Sequence, residues 1–166
     1  LEISKSGVET ILGREIDRLK ECKLFDGYSL PYNDRQFDLV ILSHVVEHLE
    51  FPRKLLYEAA RVGKYVFVEV PCEDNFRLSH DFVYDKTGHI NFYSPKTIRR
   101  FLERTGLKIL SQTVTNPSYP IYELSYKKKA ILHYLPKELL LLCIPKLAPY
   151  VWTYHCSLIC QKKITK

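Results

Sequence analysis

The period of the hydrophobic pattern changes along the chain, and one stretch holds a complete strand, helix, strand unit. In Phe37 to Pro71, FDLVILSHVVEHLEFPRKLLYEAARVGKYVFVEVP, Phe37 and Leu39 to Leu42 form a short, nearly continuous apolar run. Such a run predicts a strand covered on both faces, stopping at the polar pair Ser43 and His44. Val45, Val46 and Leu49, then Leu55, Leu56, Ala59 and Ala60, recur at helical spacing, with Pro52 where a helix starts afresh or kinks and Gly63 at its close. Tyr65 to Val70 is β-branched and aromatic, a second buried strand, and Pro71 ends its ladder. Two such strands joined by a helix predict a right-handed parallel crossover. Open sheets of this kind bind ligands at the carboxyl edge, where Ser43 and His44 fall.

The flanks follow the same logic. Leu1 to Ile3 reads as the end of a strand, Ser4 as an N-cap, and Val8, Ile11, Leu12, Ile16 and Leu19 as the apolar stripe of a helix over Gly7 to Leu19. Cys22 to Phe25 predicts a short strand, ended by the turn-forming pair Asp26 and Gly27. Cys72 to Tyr93 has no period and mixes Glu73, Asp74, His80, Asp81, Asp85, His89 and Tyr93, which predicts a lid or binding loop. Ser94 and Pro95 mark the start of a helix carrying Ile98, Phe101 and Leu102 and ended by Gly106. Leu107 to Val114 and Tyr154 to Gln161 read as the last two strands. Between them Asn116 to Trp152, rich in Tyr and Pro, reads as an insertion with an apolar helix at Leu132 to Leu147, so that residues 1–166 form one domain.

Composition narrows the class. With 166 residues, 46% hydrophobic and 27% charged, the chain is globular rather than disordered. It contains no Met and opens on Leu1 inside an expected strand, so we expect it to begin partway through a longer protein, as a fragment. The formal charge of +6 is concentrated at Lys127 to Lys129, Lys162, Lys163 and Lys166; short Lys runs of this kind are ordinary solvated ends, and no nucleic-acid motif accompanies them. Cys22, Cys72, Cys143, Cys156 and Cys160 are odd in number and contain no C-x-x-C pair. That suggests neither a disulfide framework nor a common zinc site and fits a reducing, cytoplasmic location. Cys156, Leu158 and Cys160 share one face of a strand, which predicts buried free thiols. No apolar run reaches the roughly eighteen residues of a spanning helix, so the chain reads as soluble.

One pattern carries a resemblance. Asp26, Leu30-Pro31-Tyr32, Phe37-Asp38-Leu39-Val40, then His44, Glu47 and His48 reproduce, in order and spacing, the motif D-x-x-x-L-P-[FY]-x-x-x-x-F-D-L-V followed by H-x-x-E-H. The chain thereby resembles the class I S-adenosylmethionine-dependent methyltransferases of small-molecule type, and Gly88 to Leu110 is similar to that family's later helix and strand. The resemblance covers about Leu1 to Leu110 and leaves the insertion unmatched. It implies an α/β fold, a Rossmann-like sheet of order 3-2-1-4-5-7-6, with strand 1 and its G-x-G-x-G turn absent from this chain. The six glycines, at 7, 13, 27, 63, 88 and 106, make no such cluster. S-adenosylmethionine is the implied cofactor. By position, Glu2 would take the ribose hydroxyls, Asp26 and Gly27 the adenine with Tyr28 to Leu30 against its ring, and Ser43 and His44 the methionyl end. Asp38, at the other end of its strand, is expected to have a structural hydrogen-bonding role.

Methyl transfer is an in-line displacement at a sulfonium carbon, so the protein must align nucleophile and methyl and take up a proton. His44, His48 and His89 are the candidate bases, since imidazole titrates near neutrality, with Tyr93 as a positioning hydroxyl. H-V-V-E-H is not the zinc motif H-E-x-x-H and lacks a third ligand of its own, so no metal is expected. The expected reaction is methyl transfer to a small-molecule hydroxyl or amine, the acceptor being anionic or lipid-linked. The competing reading is a non-catalytic binding module without the cofactor turn. A nucleotide-dependent dehydrogenase shares the sheet but has no reason to carry the L-P-Y to F-D-L-V motif. The insertion helix, beside Lys127 to Lys129, would pack over the sheet end, with a membrane surface as the alternative contact.

Overall fold

Strands β1 (Phe37–Ser43), β2 (Gly63–Pro71), β3 (Leu107–Thr115) and β4 (His155–Lys162) build one mixed sheet of order β1-β2-β4-β3 in the computed structural model. The structure describes residues 1–78 and 88–163, so His80, Asp81 and Asp85 of the loop and Lys166 of the basic tail lie outside the described residues. β1 and β2 pair in parallel, with Leu39 opposite Tyr65 and Ile41 opposite Phe67. β4 runs antiparallel to both β2 and β3. This is the 4-5-7-6 half of the order that the resemblance implies.

Helix α2 (Pro52–Val62) joins β1 to β2, and α3 (Pro95–Arg104) precedes β3. Both begin on proline, whose missing N–H costs nothing in a first turn, and Ser94 closes a capping box with Thr97 on α3. Leu55, Leu56 and Ala59 of α2 and Ile98 and Leu102 of α3 share one core with Val66, Val68, Val70, Cys156, Leu158 and Cys160, all at most 1% exposed. Alternation in β2 and β4 places each of those six side chains on the same sheet face. Burial pushes the Cys160 thiol up to about 12, consistent with an inert core sulfur.

Several local expectations give way to tertiary context. β1 is covered on one face only: Leu42 is buried, whereas Leu39 and Ile41 are 48% and 63% exposed, because α2 and α3 lie on the side of the shared core. The helix expected over Gly7 to Leu19 is α1 (Lys5–Leu12), capped by Ser4 as foreseen. It buries no residue, and an apolar stripe without a surface to pack on does not extend a short helix, so Ile16 and Leu19 fall in exposed turns. The strands expected at Leu1 to Ile3 and Cys22 to Phe25 reduce to one parallel bridge, Glu2 with Leu24. After His44 there is only a single 3-10 turn, Val46–His48; Phe51 is non-helical before Pro52, so α2 starts afresh there. Asp38 is exposed and makes no described side-chain hydrogen bond.

Between β3 and β4 lie α4 (Tyr119–Tyr126), α5 (Ala130–Cys143) and the short α6 (Ala148–Val151). The apolar helix thus begins two residues before Leu132 and stops short of Leu147, where Ile144 leaves helical geometry ahead of Pro145. Lys137 Nζ donates to the Thr153 carbonyl at 2.7 Å and the Tyr154 hydroxyl donates to the Lys137 carbonyl at 2.6 Å, which fastens α5 to the entry of β4. Among the described residues, no helix is long and apolar enough to cross a membrane.

Candidate functional site

β1 ends at Ser43, and the next residue turns the chain sharply: His44 adopts φ of 53°, a left-handed conformation that costs a non-glycine residue about 1–2 kcal/mol. Its backbone N–H donates to the Glu69 carbonyl of β2 at 3.0 Å, which fixes the turn against the neighbouring strand. The imidazole then lies between two carboxylates. Nδ1 is 3.1 Å from Glu47 Oε1 and Nε2 is 3.4 Å from Glu69 Oε1, while the His155 ring packs edge-on at 4.7 Å between centroids. Glu69 is itself held, accepting from Ser157 Oγ at 2.7 Å and from Ser43 Oγ at 3.3 Å. Burial, with His44 and Lys137 nearby, lowers the His155 pKa. Burial, with a smaller contribution from Arg77, lowers the Lys137 ammonium to about 8.

Glu47 joins this group to a second. It is fully buried, and its Oε2 has no hydrogen-bond partner among the described residues, which costs a buried polar atom about 1–3 kcal/mol. His48, one residue on, turns toward His89, the two rings meeting edge-on at 4.7 Å. His89 reaches this position because its segment is tied to the 3-10 turn: the N–H groups of Ile90 and Asn91 both donate to the Glu47 carbonyl, and the Asn91 side chain donates to the Leu49 carbonyl at 2.7 Å. His48 Nδ1 lies 3.2 Å from the Gly88 carbonyl, and His89 Nδ1 lies 2.7 Å from Glu73 Oε2. Tyr93 is a core residue, and burial pushes its hydroxyl up to about 12, with the Glu47 charge adding to the rise.

The opposing wall comes from the N-terminal segment. Glu2 Oε1 accepts from Ser4 N at 2.9 Å and Ser4 Oγ at 3.1 Å, and these bonds, the backbone one first, lower its pKa. A side chain at Gly7 would meet Glu2 and Ser4 atoms within 2.7 Å, so this glycine is what lets the carboxylate lie over the start of α1. Asp26 Oδ1 accepts from the backbone N–H groups of Ser29 and Tyr28, and those bonds lower its pKa. Gly27 follows at φ of 84°, a conformation only glycine adopts without strain.

A cavity of about 540 Å³ separates the two walls. Glu2, Gly27, His44 and His48 line it, together with the apolar side chains of Leu30, Leu39 and Ile41. Asp26 and Ser43 adjoin lining residues, and Tyr28 leans on Phe51 at 6.2 Å. His89 belongs to the cluster behind His48. Glu69 and His155 were not singled out from the sequence, and Glu73 was named only as one of the mixed residues of the expected binding loop. Glu69 carried a signal, being the lone carboxylate in the apolar run of β2; His155 is brought in by pairing with Pro71, and Glu73 meets His89 where Cys72 bridges Tyr93.

Comparison with known proteins shows the family. Residues 1–112 match a family described as a methyltransferase domain. The chain belongs to that methyltransferase family. An uncharacterized protein of Methanocaldococcus jannaschii is 29% identical over 127 residues, which is 67% of this chain and 59% of the relative. The methyltransferase domain is also similar in structure to the cyclase SpnF, with a TM-score of 0.65 at 17% identity over 98% of this chain and 65% of that one. A geranyl diphosphate methyltransferase in complex with SAM gives 0.63 at 12% identity, over 97% and 66%. A Haemonchus contortus phosphoethanolamine N-methyltransferase with bound S-adenosylhomocysteine gives 0.55 at 17%, over 85% and 37%. The methyltransferase domain described here therefore spans about three fifths of the length of the curated relative and less than two thirds of SpnF. At these identities the structural likeness establishes the Rossmann-like fold.

Proposed function

We propose that this methyltransferase domain serves transfer of a methyl group from S-adenosylmethionine to a hydroxyl or amine of a small-molecule acceptor. The observation that carries the reading is that Glu2, Gly27 and His44, three positions that the resemblance gives to the cofactor, line one cavity although they lie up to 42 positions apart in the chain. Two of the similar structures hold S-adenosylmethionine or its product, and their cofactor suits a cleft with a carboxylate at one end and an imidazole at the other.

In this reading Glu2 accepts from the ribose hydroxyls, Asp26 accepts from the adenine amino group, and the buried Gly27 leaves room for the ring. Ser43 and His44 face the reacting end. The base role takes the tautomer in which His44 Nδ1 donates to Glu47 and the lone pair falls on Nε2. S-adenosylmethionine would supply the methyl group to the acceptor oxygen or nitrogen, and His44 Nε2 would take up the acceptor proton. Glu47 and Glu69 then stabilise the imidazolium, the role a buried carboxylate plays beside a catalytic histidine. An exposed row on α5, Leu132, Leu135, Leu139 and Leu142, beside Lys127 to Lys129, suits an anionic or lipid-linked acceptor.

Isothermal titration with S-adenosylhomocysteine tests the reading. Binding is expected, with Asp26→Ala and Glu2→Ala each weakening it roughly tenfold for one lost charge-assisted hydrogen bond. Unchanged affinity in both variants would remove the cofactor assignment.

A further inference from the structure

The H-V-V-E-H stretch sends its two imidazoles in different directions, His44 toward Glu69 and His48 toward His89, and leaves Glu47 buried between them. We propose that Glu47, His48 and His89 form a binding site for a divalent first-row transition-metal ion, of the two-imidazole, one-carboxylate kind. One carboxylate oxygen and one nitrogen from each ring lie within 4.8 Å of one another. Bonds of about 2.1 Å to a tetrahedral ion would separate the ligand atoms by about 3.4 Å, so binding would draw the three side chains slightly closer together.

Three further features point to a cation. Glu47 is fully buried, and its Oε2 lacks a hydrogen-bond partner among the described residues, an arrangement that a positive charge would satisfy. The Gly88 carbonyl can only accept, so His48 Nδ1 is the donor and its Nε2 presents the lone pair. His89 is held through Nδ1 by Glu73 at 2.7 Å, the carboxylate–imidazole pairing that orients a ligating ring and increases its basicity. The donor set of nitrogen and oxygen without thiolate suits zinc, iron(II), cobalt or manganese rather than calcium, which takes oxygen alone. The neighbouring trio His44, Glu69 and His155 is a weaker candidate, because both Glu69 oxygens already accept from serine hydroxyls. The site stands on its own donor set and does not require the methyl-transfer reading. It lies at the carboxyl edge of β1, where a bound cation would supply a Lewis acid next to the cavity wall that His48 lines.

The test is titration of Co²⁺ into the chelator-treated protein, followed by visible absorption and calorimetry. One equivalent is expected to bind and to raise Tm. His89→Ala and His48→Asn should each weaken binding by roughly 100-fold or more, and Glu73→Gln by roughly 10- to 100-fold as an orienting partner. His155→Ala should leave affinity unchanged. Glu47→Gln should abolish binding; because that side chain is buried, near-ultraviolet dichroism must show a folded variant, and the exposed His48→Asn carries the test if it does not. Binding lost in His155→Ala but retained in His89→Ala would overturn the proposal, as would weak multi-equivalent binding insensitive to all of these changes. Since S-adenosylhomocysteine binding is read separately, failure of the metal site and failure of the cofactor reading are distinguishable.

Discussion

The two faces of the sheet have similar apolar composition and opposite fates. On one, Val66, Val68, Val70, Cys156, Leu158 and Cys160 are wholly buried under α2 and α3. On the other, Leu39, Ile41 and Ile159 are 48%, 63% and 41% exposed, and Tyr65 and Phe67 are half-buried. The difference lies in the neighbours. An apolar side chain contributes about 1.5–3 kcal/mol only when another element removes it from water, so the stability of this domain is concentrated on the α2 and α3 side. The functional residues follow the opposite logic: they sit at the carboxyl edge and around the cavity beside β1, where the sheet is least enclosed.

Perturbing each face should expose that asymmetry. The largest effect is expected for Leu56→Ala, which removes a fully buried side chain between α2 and the sheet and should destabilise by about 2–5 kcal/mol in denaturant unfolding. A smaller loss of thermal stability is expected from Arg61→Ala. Arg61 donates to the carbonyls of Leu30 and Tyr32 and pairs with Glu58 and Asp34, and so ties the segment before β1 to α2. A Tm equal to that of the parent protein would show that the segment is held by other contacts.

Acidification should act at the edge between the faces. The folded pKa of His155 lies below its ordinary value near 6.5, so the unfolded chain takes up the proton first. Stability should therefore fall as pH drops below about 6.5 and level off once pH passes the folded pKa. His155→Gln should flatten that slope, which a Tm series between pH 7.5 and 5 would read. The smallest effect is expected for Ile41→Thr on the open face, within about 0.5 kcal/mol of the parent, and a cost comparable to Leu56→Ala would mean that this face is covered in solution. Hydrogen exchange offers a backbone version of the same comparison: amides of β2, paired on both sides, should be protected more strongly than those of β1, which among the described strands pairs only with β2.

Much of this was legible in the chain because strong local signals agreed with the fold. Pro52, Ser94 and Pro95 set helix starts that hold in three dimensions, and Cys156, Leu158 and Cys160 are buried on one face as their spacing requires. The motif from Asp26 to His48 led to the family. Errors fell where periodicity had no partner surface: Ile16 and Leu19 have helical spacing but no core to meet, and Leu39 and Ile41 have the composition of a doubly covered strand with a neighbour on one face only. The candidate site was half legible. His44, His48 and His89 stood out as imidazoles in informative places, whereas Glu69, Glu73 and His155 joined them through strand pairing and a loop return.

By itself the sequence determined the order of elements from β1 to β4, their principal caps, and the identity of the motif, because these rest on interactions among residues a few positions apart. Tertiary structure alone decided which apolar faces are enclosed, which imidazole faces which carboxylate, and that His89 meets the buried Glu47 across 42 residues of chain. Those outcomes depend on long-range pairing. Burial and charge are properties of a position in space, and only the fold assigns them.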